Sequence, residues 1–208
     1  WSLRFAISQS TLDPRPDSET VIEAAVTWAI VNWAQTGPLR CLDLGTGSGC
    51  LLLALLSELP QATGIGIDLS LDAIDLAADN ANNLGLGDRA HFYQHNFFDD
   101  LSSFGSFDII LSNPPYIPTL DIAGLAADVR DFDPAVALDG GIDGMTCWQG
   151  LLPRLGEPLS DKGVAFVEIG FGQEAAIIQL AANANLEFVK SYRDLSDVIR
   201  CLQFGIKI

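Results

Sequence analysis

LRCLDLGTGSG, residues 39–49, is a short apolar run that passes without a break into a turn where glycine alternates with a hydroxyl residue. CLLLALLSEL follows, and its near-continuous apolar character predicts a buried helix over residues 50–59. Strand, glycine-rich turn and helix in that order form the nucleotide-binding opening of a doubly wound α/β sheet. Glycine lets the backbone come close to a ligand, and the first helical turn offers unpaired N–H groups. The spacing is G-x-G-x-G, with Cys50 where the dinucleotide fingerprint G-x-G-x-x-G has its last glycine. That argues against a nicotinamide dinucleotide.

Downstream, TGIGID over residues 63–68 predicts a second strand, and it ends in an acid. A carboxylate at that place can take both hydroxyls of a ribose, so a ribose-bearing cofactor is expected, with a purely structural βαβ turn as the alternative. Ser70 can cap a helix over residues 71–84, which Gly85 and Gly87 stop. A third strand, residues 91–94, closes on Asn96, Phe97 and Phe98. Asn96 can bond an adenine edge while Phe97 covers its face, although both phenylalanines also suit a plain core.

FDIILSNPPY, residues 107–116, is a fourth apolar strand stopped by Asn113-Pro114-Pro115-Tyr116. Each proline fixes φ and lacks an N–H, and the residue before a proline is pushed to extended geometry. The turn therefore offers acceptors and few donors. The Asn113 side-chain oxygen and the neighbouring main-chain carbonyl suit an NH2 group, with the Tyr116 ring to cover a planar ligand. A planar amide or an amino base is the expected guest; a proline-stiffened turn after a core strand is the alternative. In a sheet wound this way the glycine turn, Asp68, Phe97 and the Asn-Pro-Pro-Tyr turn all fall on one rim, where such sheets bind ligands.

Residues 117–143 are long and rich in Gly, Pro and Asp, and are expected to fold over the site with a short helix over 122–129. DGGIDG, residues 139–144, is first of all a turn. A helix over 145–159, a strand over 163–169, a helix over 173–184 and closing strands over 188–192 and 199–206 complete the pattern. Upstream, Asp13-Pro14-Arg15-Pro16 and the acids of Asp17-Ser18-Glu19 mark a helix start before the apolar run 21–33. Arg15, held between prolines, is either a positioned cation near a site or a solvent-facing charge. One domain is expected over residues 1–208, with 1–36 as a strip and helix leading into it.

Apolar residues make up 49% of the chain and charged ones 18%, the balance of a well-packed globule. With 27 acidic against 11 basic side chains the net charge is -16, which repels phosphate backbones, so direct nucleic-acid binding is not expected. Cys41, Cys50, Cys147 and Cys201 show no C-x-x-C spacing and read as reduced thiols of a cytoplasmic protein. His91 and His95 have no acid or thiol partners at ligand spacing, so no metal is expected. The apolar stretch 24–39 carries Asn32, Gln35 and a Gly-Pro break, unlike a membrane span, and no signal peptide is visible. The chain starts at Trp1 without Met, which points to further sequence upstream.

The sequence resembles the HemK-type glutamine methyltransferases, which methylate the side-chain amide of the Gly-Gly-Gln glutamine in peptide-chain release factors. The similarity runs through WSLRFAISQSTLDPRPDSE at 1–19, LDLGTGSG at 42–49, Asp68, SNPPYI at 112–117, VRDFDPAVALDGGIDG at 129–144 and RDLSDVIR at 193–200. SNPPY is shared with enzymes that methylate exocyclic amines of DNA and RNA bases; P-R-P-D-x-E joined to S-N-P-P-Y-I and A-L-D-G-G-x-D-G is more specific.

The resemblance implies a Rossmann-like class I S-adenosylmethionine-dependent methyltransferase fold: a mostly parallel seven-stranded sheet, helices on both faces and an antiparallel last strand. It implies S-adenosylmethionine, leaving as S-adenosylhomocysteine, bound by Gly45, Thr46, Gly47, Ser48 and Gly49, with Asp43 below. Asp68 and Leu69 would lie at the ribose, Asn96 and Phe97 at the adenine, and Asn113 beside the methyl donor. Asn113, Pro114, Pro115 and Tyr116 would hold the glutamine amide, Asn113, Pro114 and Tyr116 as catalytic residues, with Arg15 and Pro16 toward the substrate. The implied partner is a release factor presenting its Gly-Gly-Gln loop to a monomeric enzyme. Two departures stand out: Asn96 replaces an acid and Asp13 an apolar residue. The family's helical N-terminal docking domain is absent from this chain, which looks like a catalytic domain alone. The competing readings are a base-amine methyltransferase and a non-catalytic adenosine-binding module.

Overall fold

The computed structural model describes residues 1–33 and 37–207. In chain order the elements are α1 (Glu19–Trp33), β1 (Arg40–Leu44), α2 (Cys50–Glu58), β2 (Thr63–Asp68), α3 (Leu71–Asn83), β3 (Ala90–Gln94) and β4 (Phe107–Ser112). Two short helices, α4 (Ala127–Phe132) and α5 (Ala135–Leu138), precede α6 (Thr146–Leu155), β5 (Leu159–Glu168), α7 (Glu174–Asn183), β6 (Leu186–Arg193) and β7 (Ile199–Ile206). Gln35 and the expected end of the leading strip at residue 36 lie outside the described residues.

The seven strands form one sheet in the order β3-β2-β1-β4-β5-β7-β6. β1 to β5 pair in parallel, and β7 runs antiparallel to both neighbours, as expected. Apolar residues on both faces of the central strands account for burial on both sides of the sheet. Cys41, Ile109, Leu111, Val164 and Phe166 pack toward one face with α1 and α2, while Leu42, Leu44, Ile110, Ala165 and Val167 pack toward the other with α6 and α7. That alternation is the two-residue period of a strand with an apolar layer on each side.

Register brings the functional ends level. Leu44 pairs with Ile67 and with Ser112, and Ser112 with Val167. The turns after β1, β2, β4 and β5 therefore open on one edge, and the strand order reverses between β1 and β4, the switch point where open α/β sheets hold ligands.

Three boundaries differ from the sequence expectation. The helix expected over 122–129 is split into a 3-10 segment, Thr119–Gly124, and α4, because Leu125 and Ala126 are extended with ψ of 157° and 145°. α6 ends at Leu155, and β5 starts at Leu159 instead of residue 163. Leu159 already pairs with Phe107, and the register shift that follows absorbs the irregular stretch.

Candidate active site

The turn after β1 is held from below and from the side. Asp43, buried on β1, accepts a hydrogen bond from the Thr46 hydroxyl at 2.7 Å. Burial pushes its carboxyl up to about 7, opposed by the Thr46 hydroxyl and the Leu52 N–H and reinforced by the charge of Asp68. Asp68, at the end of β2, accepts from the Gly47 N–H at 2.9 Å through one oxygen and from the Ser70 N–H at 2.9 Å through the other. Ser70 also accepts from the Ala73 N–H, capping α3 as expected. One carboxylate thus ties the glycine turn to the start of the next helix.

Above the turn lies a cleft of about 320 Å³, in the size range of small-molecule sites. Gly45, Thr46, Gly47, Ser48, Asp68, Leu69, Phe97, Asn113 and Pro115 line it, together with Ser10, Thr11, Leu12 and Pro14 and with Val136 and Ala137. Gly45 has a φ of +75°, a left-handed backbone that favours glycine, and a Cβ there would stand 3.4 Å from the Phe97 ring, which packs directly against the turn. The buried Ser48 hydroxyl has no hydrogen-bond partner among the described residues.

A second, smaller chamber of about 90 Å³ adjoins the cleft, and Leu12, Asn113 and Ala137 border both. Arg15, Tyr116, Ile117, Val129, Leu138 and Glu168 complete its wall. Asn113 donates from Nδ2 to the Ser18 hydroxyl at 3.3 Å, and Ser18 donates to Glu168 Oε2. The Tyr116 hydroxyl donates to Glu168 Oε1 at 3.0 Å. Burial and the Glu168 charge push the Tyr116 phenol far up, which keeps it a donor. Among the described residues no backbone N–H donates to the Pro114 carbonyl.

The Asn-Pro-Pro-Tyr turn is clamped from behind. The Ile117 N–H donates to the Leu138 carbonyl, the Gly140 N–H donates to the Ile117 carbonyl, and Gln173 Nε2 donates to the Tyr116 carbonyl. A Cβ at Gly140 would stand 2.8 Å from the Tyr116 Cα and carbonyl carbon and 2.9 Å from the Gly144 Cα, all backbone atoms that cannot step aside. Gly140→Ala is therefore expected to cost about 1–3 kcal/mol of stability, the range for overpacking. Thermal unfolding reads that loss.

Several residues singled out in the sequence stand elsewhere. Gly49 heads α2, and it does not line the cleft. Asn96 does not line it either; its Oδ1 accepts from the Phe98 N–H, closing a local turn. Arg15 borders the chamber, but its guanidinium pairs with Asp133, which is buried to 5% exposure and also accepts from the Asp13 N–H. Pro16 opens the 3-10 turn Pro16–Ser18 and lines neither the cleft nor the chamber. Pro114 is buried, while Pro115 faces the cleft and Tyr116 the chamber. Sequence reasoning missed Glu168, Ser18 and Gln173. The available signal for Glu168 was an acid closing an apolar strand on the same rim as Asp68. Among the described residues no three His, Cys, Asp or Glu stand together as metal ligands, and no helix is long and apolar enough to cross a membrane.

A methyltransferase domain family matches residues 36–138. The solved ribosomal protein L11 methylase of Lactobacillus delbrueckii subsp. bulgaricus superposes with a TM-score of 0.67 at 20% identity, over 95% of this chain and 82% of that one. The TehB-like S-adenosylmethionine-dependent methyltransferase of Corynebacterium glutamicum does so with 0.57 at 18%, over 94% and 89%. The seven-stranded sheet with a cleft at its switch point is the class I methyltransferase fold. The release factor glutamine methyltransferase of Bradyrhizobium diazoefficiens is 46% identical over 89% of this chain and 62% of its own length. Those of Agrobacterium fabrum and Caulobacter vibrioides are 40% and 39% identical, over 97% and 100% of this chain and 69% and 70% of theirs. The chain belongs to the release factor glutamine methyltransferase family, and it spans roughly three-fifths to seven-tenths of the length of these curated relatives. The cofactor of that fold and family, S-adenosylmethionine, fits the residues present: an acid at the strand end, an aromatic ring over a glycine turn and an unpartnered buried hydroxyl.

Proposed function

We propose that this chain catalyses methylation of the side-chain amide nitrogen of the glutamine in the Gly-Gly-Gln loop of a peptide-chain release factor. The supporting observation is Asn113 at the junction of cleft and chamber, its Nδ2 taken by Ser18 and its Oδ1 left as an acceptor. Asp68, Leu69 and the Gly45–Ser48 turn would hold the ribose and amino-acid portions of the cofactor, and Phe97 would cover the adenine. When bound, the cofactor supplies an electrophilic methyl group on a sulfonium.

An amide nitrogen is a poor nucleophile because its lone pair is delocalised into the carbonyl. Asn113 Oδ1 and the Pro114 carbonyl accept the two N–H bonds of the substrate amide, and so orient the nitrogen lone pair toward the cleft. Tyr116 limits the positions the amide can take. No strong base has to wait in the chamber: the amide proton becomes acidic only as the new C–N bond forms, and it leaves to water. The chain's net charge of -16 suits a cationic cofactor and argues against a phosphate-backbone substrate. On this reading the chain acts as a monomer in the cytoplasm, where translation factors are found.

The deciding measurement is methyl transfer from labelled S-adenosylmethionine to a release factor, run beside its Gln→Ala variant, duplex DNA and tRNA. Label that disappears with the glutamine is the expected result. Label on either nucleic acid would move the chain to base-amine chemistry.

A further inference from the structure

Glu168 is 1% exposed at the end of β5, and both its oxygens are spoken for by hydroxyls from distant parts of the chain. A buried carboxylate is costly unless paired or hydrogen-bonded, so its retention beside the chamber calls for a reason. Arg200, the cation that acts on it, is bonded to Asp17 at 2.9 Å and to Asp194 at 3.0 Å, and is no dedicated counter-ion.

Donor arithmetic supplies the reason. An ionised carboxylate only accepts, and a hydroxyl has one proton. Ser18 spends its proton on Glu168 and can offer Asn113 only lone pairs. Asn113 must then meet Ser18 with its NH2 end, which turns Oδ1 into the acceptor the substrate needs. The two ends of a carboxamide are nearly equal in size, so packing alone does not choose between them. We propose that Glu168, acting through Ser18, is a positioning residue that sets the orientation of the Asn113 carboxamide and thereby makes the chamber select a neutral amide over a carboxylate.

The inference rests on amide transfer at Asn113. Protonation of Glu168 would give it a proton to donate, free the Ser18 hydroxyl to point at Asn113 and let the carboxamide turn over. Burial raises the Glu168 carboxyl above its usual range, with Asp17 adding to the rise and the Ser18 and Tyr116 hydroxyls and Arg200 opposing it. The other titratable groups facing it are Cys201, its register partner on β7, and Cys50, with Arg15 across the chamber. A raised folded-state value means the charged, competent form is lost as pH falls through that value. The acid limb of kcat/KM for the wild-type chain should therefore lie above the ordinary glutamate range.

The test measures methyl transfer to a release factor bearing its Gly-Gly-Gln loop, and inhibition by the same factor with Gln→Glu, for wild type, Glu168→Gln and Ser18→Ala across pH. Both variants should lose about ten- to a hundredfold in kcat/KM, the size of one hydrogen bond to a charged group, while S-adenosylhomocysteine binds within about twofold. Both should bind the Gln→Glu factor more tightly relative to the glutamine factor, and Glu168→Gln should lose the acid limb. Wild-type discrimination and pH profile in Ser18→Ala would overturn the proposal, as would a wild-type profile flat through the acid range, whether or not Glu168→Gln folds. Absence of wild-type transfer to the glutamine would instead remove the underlying amide reading.

Discussion

On the proposed amide transfer, Asn113→Ala should lower methyl transfer to a release factor by at least about 100-fold, the loss seen when one preorganised polar contact is deleted from a transition state. The substitution removes the Oδ1 acceptor and leaves the chamber with the Pro114 carbonyl alone. It also removes the Nδ2 donor that Ser18 accepts from, while Ser18 keeps Glu168. Neither change touches the bond from the Gly47 N–H to Asp68. Titration with S-adenosylhomocysteine should therefore give wild-type affinity within a small factor, and single-turnover assays should place the whole loss after cofactor binding. Full activity in this variant would sink the role given to Asn113.

How far the sequence announced this depends on whether a signal was local. The rim was legible because each strand carries its own apolar run and its own terminator: glycine after Leu44, an acid at Asp68, Asn-Pro-Pro after Ser112. Period-two burial on both faces follows from the same runs, so a mostly parallel sheet could be argued without coordinates. Asn96 shows where local chemistry wins over expectation. An Asn just past a strand readily closes a turn on a backbone N–H two residues on, and here it does so with Phe98.

The misses share a different cause. Glu168 and Ser18 are 150 residues apart in sequence, and neither carries a motif that names the other. Arg15 reads from the sequence as either a positioned cation or a solvent-facing charge, and its partner Asp133 follows a helix that starts several residues later than the sequence suggests. Gln173 sits at the start of α7 as an ordinary helix-flanking residue until its amide is seen bonded to the Tyr116 and Gly144 carbonyls at 3.0 and 3.2 Å. Long-range polar pairs of this kind arise from topology, and periodicity carries no information about them.

Asp68→Ala is expected to reduce cofactor affinity by about 100-fold or more, a larger loss than removal of a ribose contact alone would produce. The Asp68 carboxylate already accepts from the Gly47 and Ser70 backbone N–H groups, so it shapes the turn before any ligand arrives. Hydrogen bonds to a charged group contribute about 1.5–3 kcal/mol each. Losing one worth of organisation and one worth of ligand contact gives about 3–6 kcal/mol, or two to four powers of ten in affinity. Asp68→Asn separates the two effects. It retains one oxygen for the Gly47 or Ser70 N–H but presents an NH2 where the other acceptor stood, so its loss should fall between wild type and Asp68→Ala. Calorimetric titration with S-adenosylhomocysteine measures all three, and amide exchange at Gly47 reads the turn without ligand. Affinity within twofold of wild type in Asp68→Ala would mean that the glycine turn is held by its own backbone geometry and that the strand-end acid is incidental to binding.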